Sequence, residues 1–289
     1  MPSITLVIVN AAAPSLSSDP ARPLAIEDPT NRWLVHRLSD ALLVPAIRVN
    51  LHPNTVSLMG LVFGAAAGWA YADWRDPRFA TLGLMLMLGW HVCDGLDGRL
   101  ARATGRASPL GRLLDGLCDY AVFFCVLLPI AFSLPDRPLM VALCVSAGAA
   151  HALQSAYFEG ERTSWIRRSR GEMTAQDRST AGGVFETFYN ASERLLANRT
   201  RPIDLELRKR PQALPLYLEA TAPLVRQLAV LSANSRTIAI WLACMAGHPA
   251  WFWWWELFGL TVFALALARA LRRTEAQLVT TLSRTDGGC

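Results

Sequence analysis

Apolar residues recur in blocks along the chain, at roughly 55–74, 79–93, 120–134, 139–157, 237–247 and 251–271. A helix needs about 20 residues to cross a bilayer, and several blocks are shorter. Each short block, however, continues at helical spacing into polar sequence. The second runs on into a segment rich in Asp and Arg, the third is preceded by that segment, and the fifth extends back to Leu224 by taking in Arg226 and Arg236. The pattern predicts an all-α integral membrane protein with six transmembrane helices. Ahead of the first block, Trp33, Leu34, Leu38, Leu42 and Ile47 fall near helical spacing among Arg32, Arg37 and Arg48. That spacing predicts a juxtamembrane amphipathic helix lying on the membrane surface.

Residues 1–30 are expected to form a disordered leader. The short apolar run from Ile4 to Ala13 has no basic region before it and a proline-rich sequel, unlike a cleaved signal. Residues 31–289 are expected to form one membrane domain with a cytoplasmic insertion at about 158–222. That hydrophilic stretch is too long for a simple connector. Within it Val184, Phe185, Phe188, Tyr189, Leu195 and Leu196 share one helical face, which suits an interfacial helix or one packed on the rest of that surface. No internal repeat is visible.

Charge orients this arrangement. The net charge of +5 comes almost wholly from arginine, Lys209 being the only lysine. The arginines collect in the leader helix, in 99–112, in 162–210 and after Arg269, while the linkers near 72–78 and 135–137 balance Arg with Asp. The positive-inside rule then places both termini and the Asp-rich segment in the cytoplasm, in the cell's inner (plasma) membrane. Because the arginines lie between apolar blocks, and form no separate basic domain, nucleic acid is excluded as a partner. The six cysteines show neither zinc-ligand spacing nor a disulfide framework and read as small buried hydrophobes.

The informative chemistry lies in 94–119, DGLDGRLARATGRASPLGRLLDGLCD. If the second block continues as a helix, Asp94 and Asp97 share a face with Gly98, Ala101 and Arg102. Ser108-Pro109 suits the first turn of a new helix, on which Gly111, Asp115 and Asp119 recur at intervals of four. Two antiparallel helices would point two carboxylates each into one space. Like charges at about 4 Å repel by roughly 4 kcal/mol at an effective dielectric near 20, so a converging quartet needs compensation. Asp119 moreover runs straight into an apolar block, where ionisable residues are costly and usually functional. Oxygen ligands without His or Cys favour two divalent cations, Mg²⁺ or Mn²⁺, able to clamp a diphosphate. Small residues at 98, 101 and 111 leave room for a nucleotide, and Arg102 suits a phosphate.

The pattern Asp-x2-Asp-Gly-x2-Ala-Arg-x8-Gly-x3-Asp-x3-Asp resembles the signature of the CDP-alcohol phosphatidyltransferases, and every fixed position of it is present. The resemblance covers roughly residues 50–160. It implies phospholipid synthesis by attack of an alcohol on a CDP-linked lipid or alcohol donor, with release of CMP. It also implies that Asp94, Asp97 and Asp115 hold one metal and Asp94, Asp115 and Asp119 the other, with Asp119 as the base. By the same similarity Gly98, Ala101, Arg102, Ser108 and Gly111 lie around the CDP moiety. Pro53-Asn54-Thr55-Val56-Ser57 resembles the family element that opens the first span, which brings in Asn54 and Ser57 as nucleotide contacts. A homodimer is a further implication. Ser57-Leu-Met-Gly60 and Ser108-Pro-Leu-Gly111 lean toward the aminoalcohol and inositol branches and away from the glycerophosphate branch.

Outside the motif, His91 and His151 read as packed histidines, the Trp251–Trp255 cluster as an interfacial belt, and Arg236 as a candidate for the acceptor's phosphate. Two other functions compete. A metal-dependent membrane prenyltransferase would carry its two acidic motifs far apart. A cation transporter would leave the Gly, Ala and Arg positions between the acids unexplained.

Overall fold

The computed structural model describes residues 23–174 and 199–284, all helix, turn and loop with no strand among them. The interfacial helix expected around Val184–Leu196 lies outside the described residues. So do residues 1–22 of the expected leader. Its last part, 23–30, is packed on the body: Ile26 is buried, and the Asp28 carboxylate accepts from Ser232 Oγ at 2.9 Å and from Asn234 Nδ2 at 3.4 Å. One apolar side chain and one carboxylate acceptor anchor a stretch whose composition alone suggests none.

A π-helical turn, Asn31–Val35, leads into α1 (His36–Arg48), followed by α2 (Pro53–Tyr71), α3 (Pro77–Ala103), α4 (Pro109–Ser133) and α5 (Arg137–Ser169). Each of α2, α3 and α4 opens with a side-chain cap followed by proline: His52 Nδ1 accepts from the Asn54 N–H, Asp76 Oδ1 from Arg78 and Ser108 Oγ from Gly111. These caps satisfy amides that would otherwise lack a partner, and proline at the first helical position sacrifices none. After the second described stretch begins come α6 (Pro202–Lys209), α7 (Leu214–Gln227), α8 (Ala233–Met245) and α9 (Ala250–Arg284), the last containing a π-helical turn at Trp255–Leu260.

Among the described residues, four helices are long and apolar enough to cross a membrane: α3, α4, α5 and α9. The stretch Pro211–Leu231 and α8 make a fifth if the pair counts as one span bent by 47°. The chain is thus a multi-pass helical membrane protein, and length and composition supply four or five of the six expected spans. Two features account for the difference. The backward extension of 237–247 is not one continuous helix, because the chain breaks between Leu228 and Ser232. And α2, only 19 residues long, opens on the polar Pro53-Asn54-Thr55 and carries glycine at 60, 64 and 68. Those glycines serve packing: a Cβ on Gly64 would collide with Val122, one on Gly68 with the Cys125 backbone carbonyl, and one on Gly60 would stand 3.2 Å from Trp90 Cδ1. The Gly60-x3-Gly64-x3-Gly68 stripe brings α2 against α3 and α4 at backbone distance, as small residues do in membranes.

The helix ahead of the spans forms as expected, with Trp33, Leu38, Leu42 and Ile47 exposed and the Arg32 and Arg37 guanidinium groups lying over the Trp33 ring. The tryptophan belt is split. Trp251 and Trp254 are exposed, whereas Trp253 is fully buried in the span core. A second core, at the end of the bundle reached by the C-termini of α5 and α9, joins Ile26, Trp165, Ile203, Leu207, Tyr217 and Leu271.

Candidate active site

Helix α3 carries Asp94 and Asp97 through the end of its apolar run, and α4 returns Asp115 beside them. One carboxylate oxygen from each of these three lies within 4.8 Å of the others. Asp97 is buried, Asp94 and Asp115 partly exposed. Ser57 Oγ, from the first turn of α2, donates to Asp97 Oδ2 at 2.5 Å and fixes its orientation. Three carboxylates so close, with only oxygen donors, match the chemistry of a hard divalent cation, which removes a repulsion of several kcal/mol that the bare cluster would carry.

Asp119 lies one turn deeper on α4 and outside this group of three. Trp90 Nε1 donates to its Oδ1 at 3.3 Å. The close approach of Gly60 lets the Trp90 ring lie against α2, and Phe123 meets it edge-on with centroids 5.4 Å apart. Asp119 is therefore held at the floor of the site with one oxygen engaged and set by an aromatic wall. Sequence reading missed Trp90, since it sits in an apolar block and reads as core; its spacing of four residues before Asp94 is the only signal.

The residues expected around a nucleotide occupy the rim. A Cβ on Gly111 would stand 3.3 Å from Asn54 Oδ1 and 3.1 Å from Ser108 Oγ, so α2 and α4 converge there around a residue without a side chain. Gly98 faces Arg102, whose Nη1 would be 3.5 Å from an added Cβ, and Arg102 is exposed. Gly116 has open space above it. Ala101 lies on the same face as Asp97 and is partly exposed. Ser57 is buried with its hydroxyl on Asp97, and Ser108 caps α4. Behind the site, α1 crosses α3 where Gly95 leaves room for Ser39, whose hydroxyl donates to the carbonyls of Val35 and Val92.

Arg236 is held by protein groups on three elements. It is fully buried, with Nε donating to Glu256 at 2.7 Å, Nη2 to Gln154 at 2.7 Å and Nη1 to the Leu231 carbonyl. Each guanidinium nitrogen is engaged by the protein, so the residue serves to join α5, α8 and α9. His91 Nε2 meets Thr237 Oγ1 at 2.9 Å, and His151 lies 3.7 Å from Glu256, so both histidines are packed structural groups.

Residues 50–172 match the CDP-alcohol phosphatidyltransferase family. Among curated proteins, choline/ethanolaminephosphotransferase 2 of Arabidopsis thaliana is 40% identical over 75 residues, 23% of this chain and 19% of the relative. Phosphatidylinositol phosphate synthase of Mycobacterium tuberculosis is 32% identical over 113 residues, 38% of this chain and 51% of the relative. Archaetidylinositol phosphate synthase of Aeropyrum pernix is 32% identical over 139 residues, 46% of this chain and 66% of the relative. The chain thus spans about a fifth to two thirds of these relatives, and the stretch that matches the family contains the carboxylate cluster.

Proposed function

With residues 50–172 forming a CDP-alcohol phosphatidyltransferase domain, we propose that the whole chain is a phospholipid-synthesising transferase that moves a phosphatidyl or phospho-alcohol group from a CDP-linked donor to an alcohol. The observation that carries this reading is the convergence of Asp94, Asp97 and Asp115 within 4.8 Å inside that domain. In the proposed reaction the acceptor oxygen attacks the phosphorus on the alcohol side of the diphosphate. The new P–O bond forms as the P–O bond to CMP breaks, and CMP leaves.

Asp94, Asp97 and Asp115 would hold one divalent cation, and Asp94, Asp115 and Asp119 a second, Mg²⁺ or Mn²⁺. Bound there, the cations supply charge neutralisation and Lewis-acid polarisation of the diphosphate. Asp119 takes the proton of the acceptor hydroxyl, with Trp90 fixing one of its oxygens and leaving the other for the hydroxyl. Ser57 holds Asp97 in ligating orientation. Asn54, Ser108 and Gly111 form one side of the nucleotide rim, and Gly98, Ala101 and Arg102 the other, with Arg102 placed to take a phosphate oxygen.

The basic segments around the site support a cytoplasmic orientation in the inner (plasma) membrane, with the amphipathic α1 resting on the same leaflet. The exposed apolar flanks of the spans support lipid partners and a homodimer. The relatives' names, together with the absence of arginine at Gly60, direct the acceptor search to aminoalcohols and inositol phosphates.

The test supplies purified protein and Mn²⁺ with labelled CDP-diacylglycerol and a panel of alcohols, and separately with labelled CDP-choline and diacylglycerol, following CMP and new lipid. CMP release in one arm is expected. Asp119→Asn should lower turnover by at least about a hundredfold while the CDP donor still binds. Full activity in that variant removes Asp119 as the base, and CMP from neither arm overturns the proposed function.

A further inference from the structure

Two helix ends meet in front of the nucleotide rim. Helix α1 ends at Asn50, which adopts φ 52°, and the next amide, Leu51 N–H, reaches back to the Ala46 carbonyl at 2.9 Å. Helix α3 ends the same way: Gly105 adopts φ 66°, and Arg106 N–H reaches back to Ala101 at 2.9 Å. Both are left-handed helix closures, a position where glycine is the usual residue and asparagine the commonest substitute. Helix α3 uses glycine. Helix α1 uses asparagine, which glycine would replace without backbone strain, and the asparagine side chain has a use: its Oδ1 accepts from Arg106 Nη2 at 2.7 Å.

This bond is the tie between two short linkers that lead into the two halves of the rim. From Asn50 the chain passes through the His52 cap into Asn54 and Ser57. From Arg106 it passes into the Ser108 cap and Gly111, with Arg102 one turn behind. The two halves touch at Gly111, where Asn54 Oδ1 and Ser108 Oγ stand 3.3 and 3.1 Å from the place of a Cβ. We infer that Asn50 and Arg106 form a positioning clasp that sets the gap between the α2 and α3–α4 sides of the donor site. The clasp governs affinity for the CDP donor and leaves the chemistry at the aspartates unchanged. Both residues lie outside the group of three carboxylates and act on the rim through their bond to each other, so both are positioning residues.

The inference rests on the proposed transferase reading, and the experiment separates the two. In the full-length enzyme, Asn50→Gly keeps the left-handed turn and deletes the acceptor, Asn50→Asp keeps an oxygen acceptor for Arg106, and Arg106→Ala removes the donor. Steady-state kinetics are taken with the CDP donor varied at saturating acceptor and Mn²⁺. An exposed charge-assisted hydrogen bond is worth about 1 kcal/mol, so KM for the donor should rise roughly fivefold in Asn50→Gly and in Arg106→Ala. It should rise no further in the double variant and return to within about twofold in Asn50→Asp, with kcat and the Mn²⁺ dependence unchanged throughout. Unchanged donor KM in Asn50→Gly overturns the clasp, as does a fall in kcat at constant KM, or additive effects in the double variant. Absence of CMP from the wild-type enzyme with every CDP donor overturns the transferase reading, and the clasp falls with it.

Discussion

Ser57 shows how a single hydroxyl connects the apolar core to the chemistry. It is buried in the first turn of α2, and its hydrogen bond to Asp97 orients a carboxylate that has its own helix on one side and two like charges on the other. Losing such a supporting partner commonly weakens metal binding ten- to a hundredfold. Ser57→Ala is therefore expected to raise the Mn²⁺ concentration for half-maximal activity by about tenfold, while Ser57→Thr preserves it. A metal titration of both variants after chelator stripping checks this; equal half-saturation in wild type and Ser57→Ala would remove the residue from the site. Legibility at this scale follows how local the cause is. The fixed spacing of Asp94, Asp97, Asp115 and Asp119 is a helical relation within about one motif, so the convergence of the first three is readable in sequence, while Asp119 stands one turn deeper. The partners of those acids arrive from elsewhere: Trp90 is an ordinary core residue until the fold points its indole at Asp119, and Asn50 and Arg106 are 56 positions apart. Arg236 shows the converse. A charged residue in an apolar block advertises function, but its counterion, Glu256, is hidden in another apolar block.

Among the elements, α2 decides how closely α3 and α4 approach, and hence whether the aspartates converge. It is strongly apolar after its polar opening Pro53-Asn54-Thr55, and glycine occupies the positions where backbone meets backbone. Sequence reading registered the block and not the stripe, since glycine in an apolar run carries no signal until its neighbours are known. Gly68→Ala forces a methyl into the Cys125 carbonyl and should destabilise the protein by about 1–3 kcal/mol. Gly148→Ala, on an open face of α5, should change stability by no more than about 0.5 kcal/mol. Unfolding in detergent, followed by circular dichroism, distinguishes the two; equal stabilities would mean that α2 and α4 are not in backbone contact. The bend between Leu228 and Ser232 was equally hidden, because the Ser232 hydroxyl at its turn finds its acceptor in Asp28, some 200 residues earlier. The multi-helical membrane class itself was plain from the apolar blocks.

At the scale of the molecule, the span bundle is joined at one end to a compact charged assembly. Asp204 accepts from Arg168 Nε at 2.8 Å and Nη2 at 2.9 Å, from Arg167 Nη2 at 3.0 Å and from the Arg201 N–H at 2.7 Å. Arg168 also reaches Tyr217 and Glu275, and Arg201 reaches Glu161 and Glu275. Burial alone would raise the Asp204 carboxyl, but the Arg168 guanidinium, the Arg201 amide and Arg167 hold it below its ordinary value. A carboxyl with a lowered folded pKa adds stability that is present above its unfolded value, near 3.9, and is lost as pH falls below it. Thermal stability should therefore fall as pH drops below about 4, and Asp204→Asn should flatten that acid limb while costing about 3–5 kcal/mol at pH 7. An unaltered acid limb in the variant would show that another group controls it. None of this network is visible in sequence, where Arg167, Arg168 and Arg201 belong to a basic stretch and their acidic partners are spread from Glu161 to Glu275.

The second core also fixes an order in time. It needs Ile26, Trp165, Tyr217 and Leu271 together, and Glu275 must reach both Arg168 and Arg201. A chain made from its N-terminus can form the α2–α4 cluster of helices, with its aspartates, long before the last span has left the ribosome. The assembly at the end of the bundle has no such freedom. Residues 23–30, the α5 extension and α6 must wait, unsatisfied, until α9 is synthesised, so the half that carries the aspartates can be built first and its closure follows only when α9 emerges.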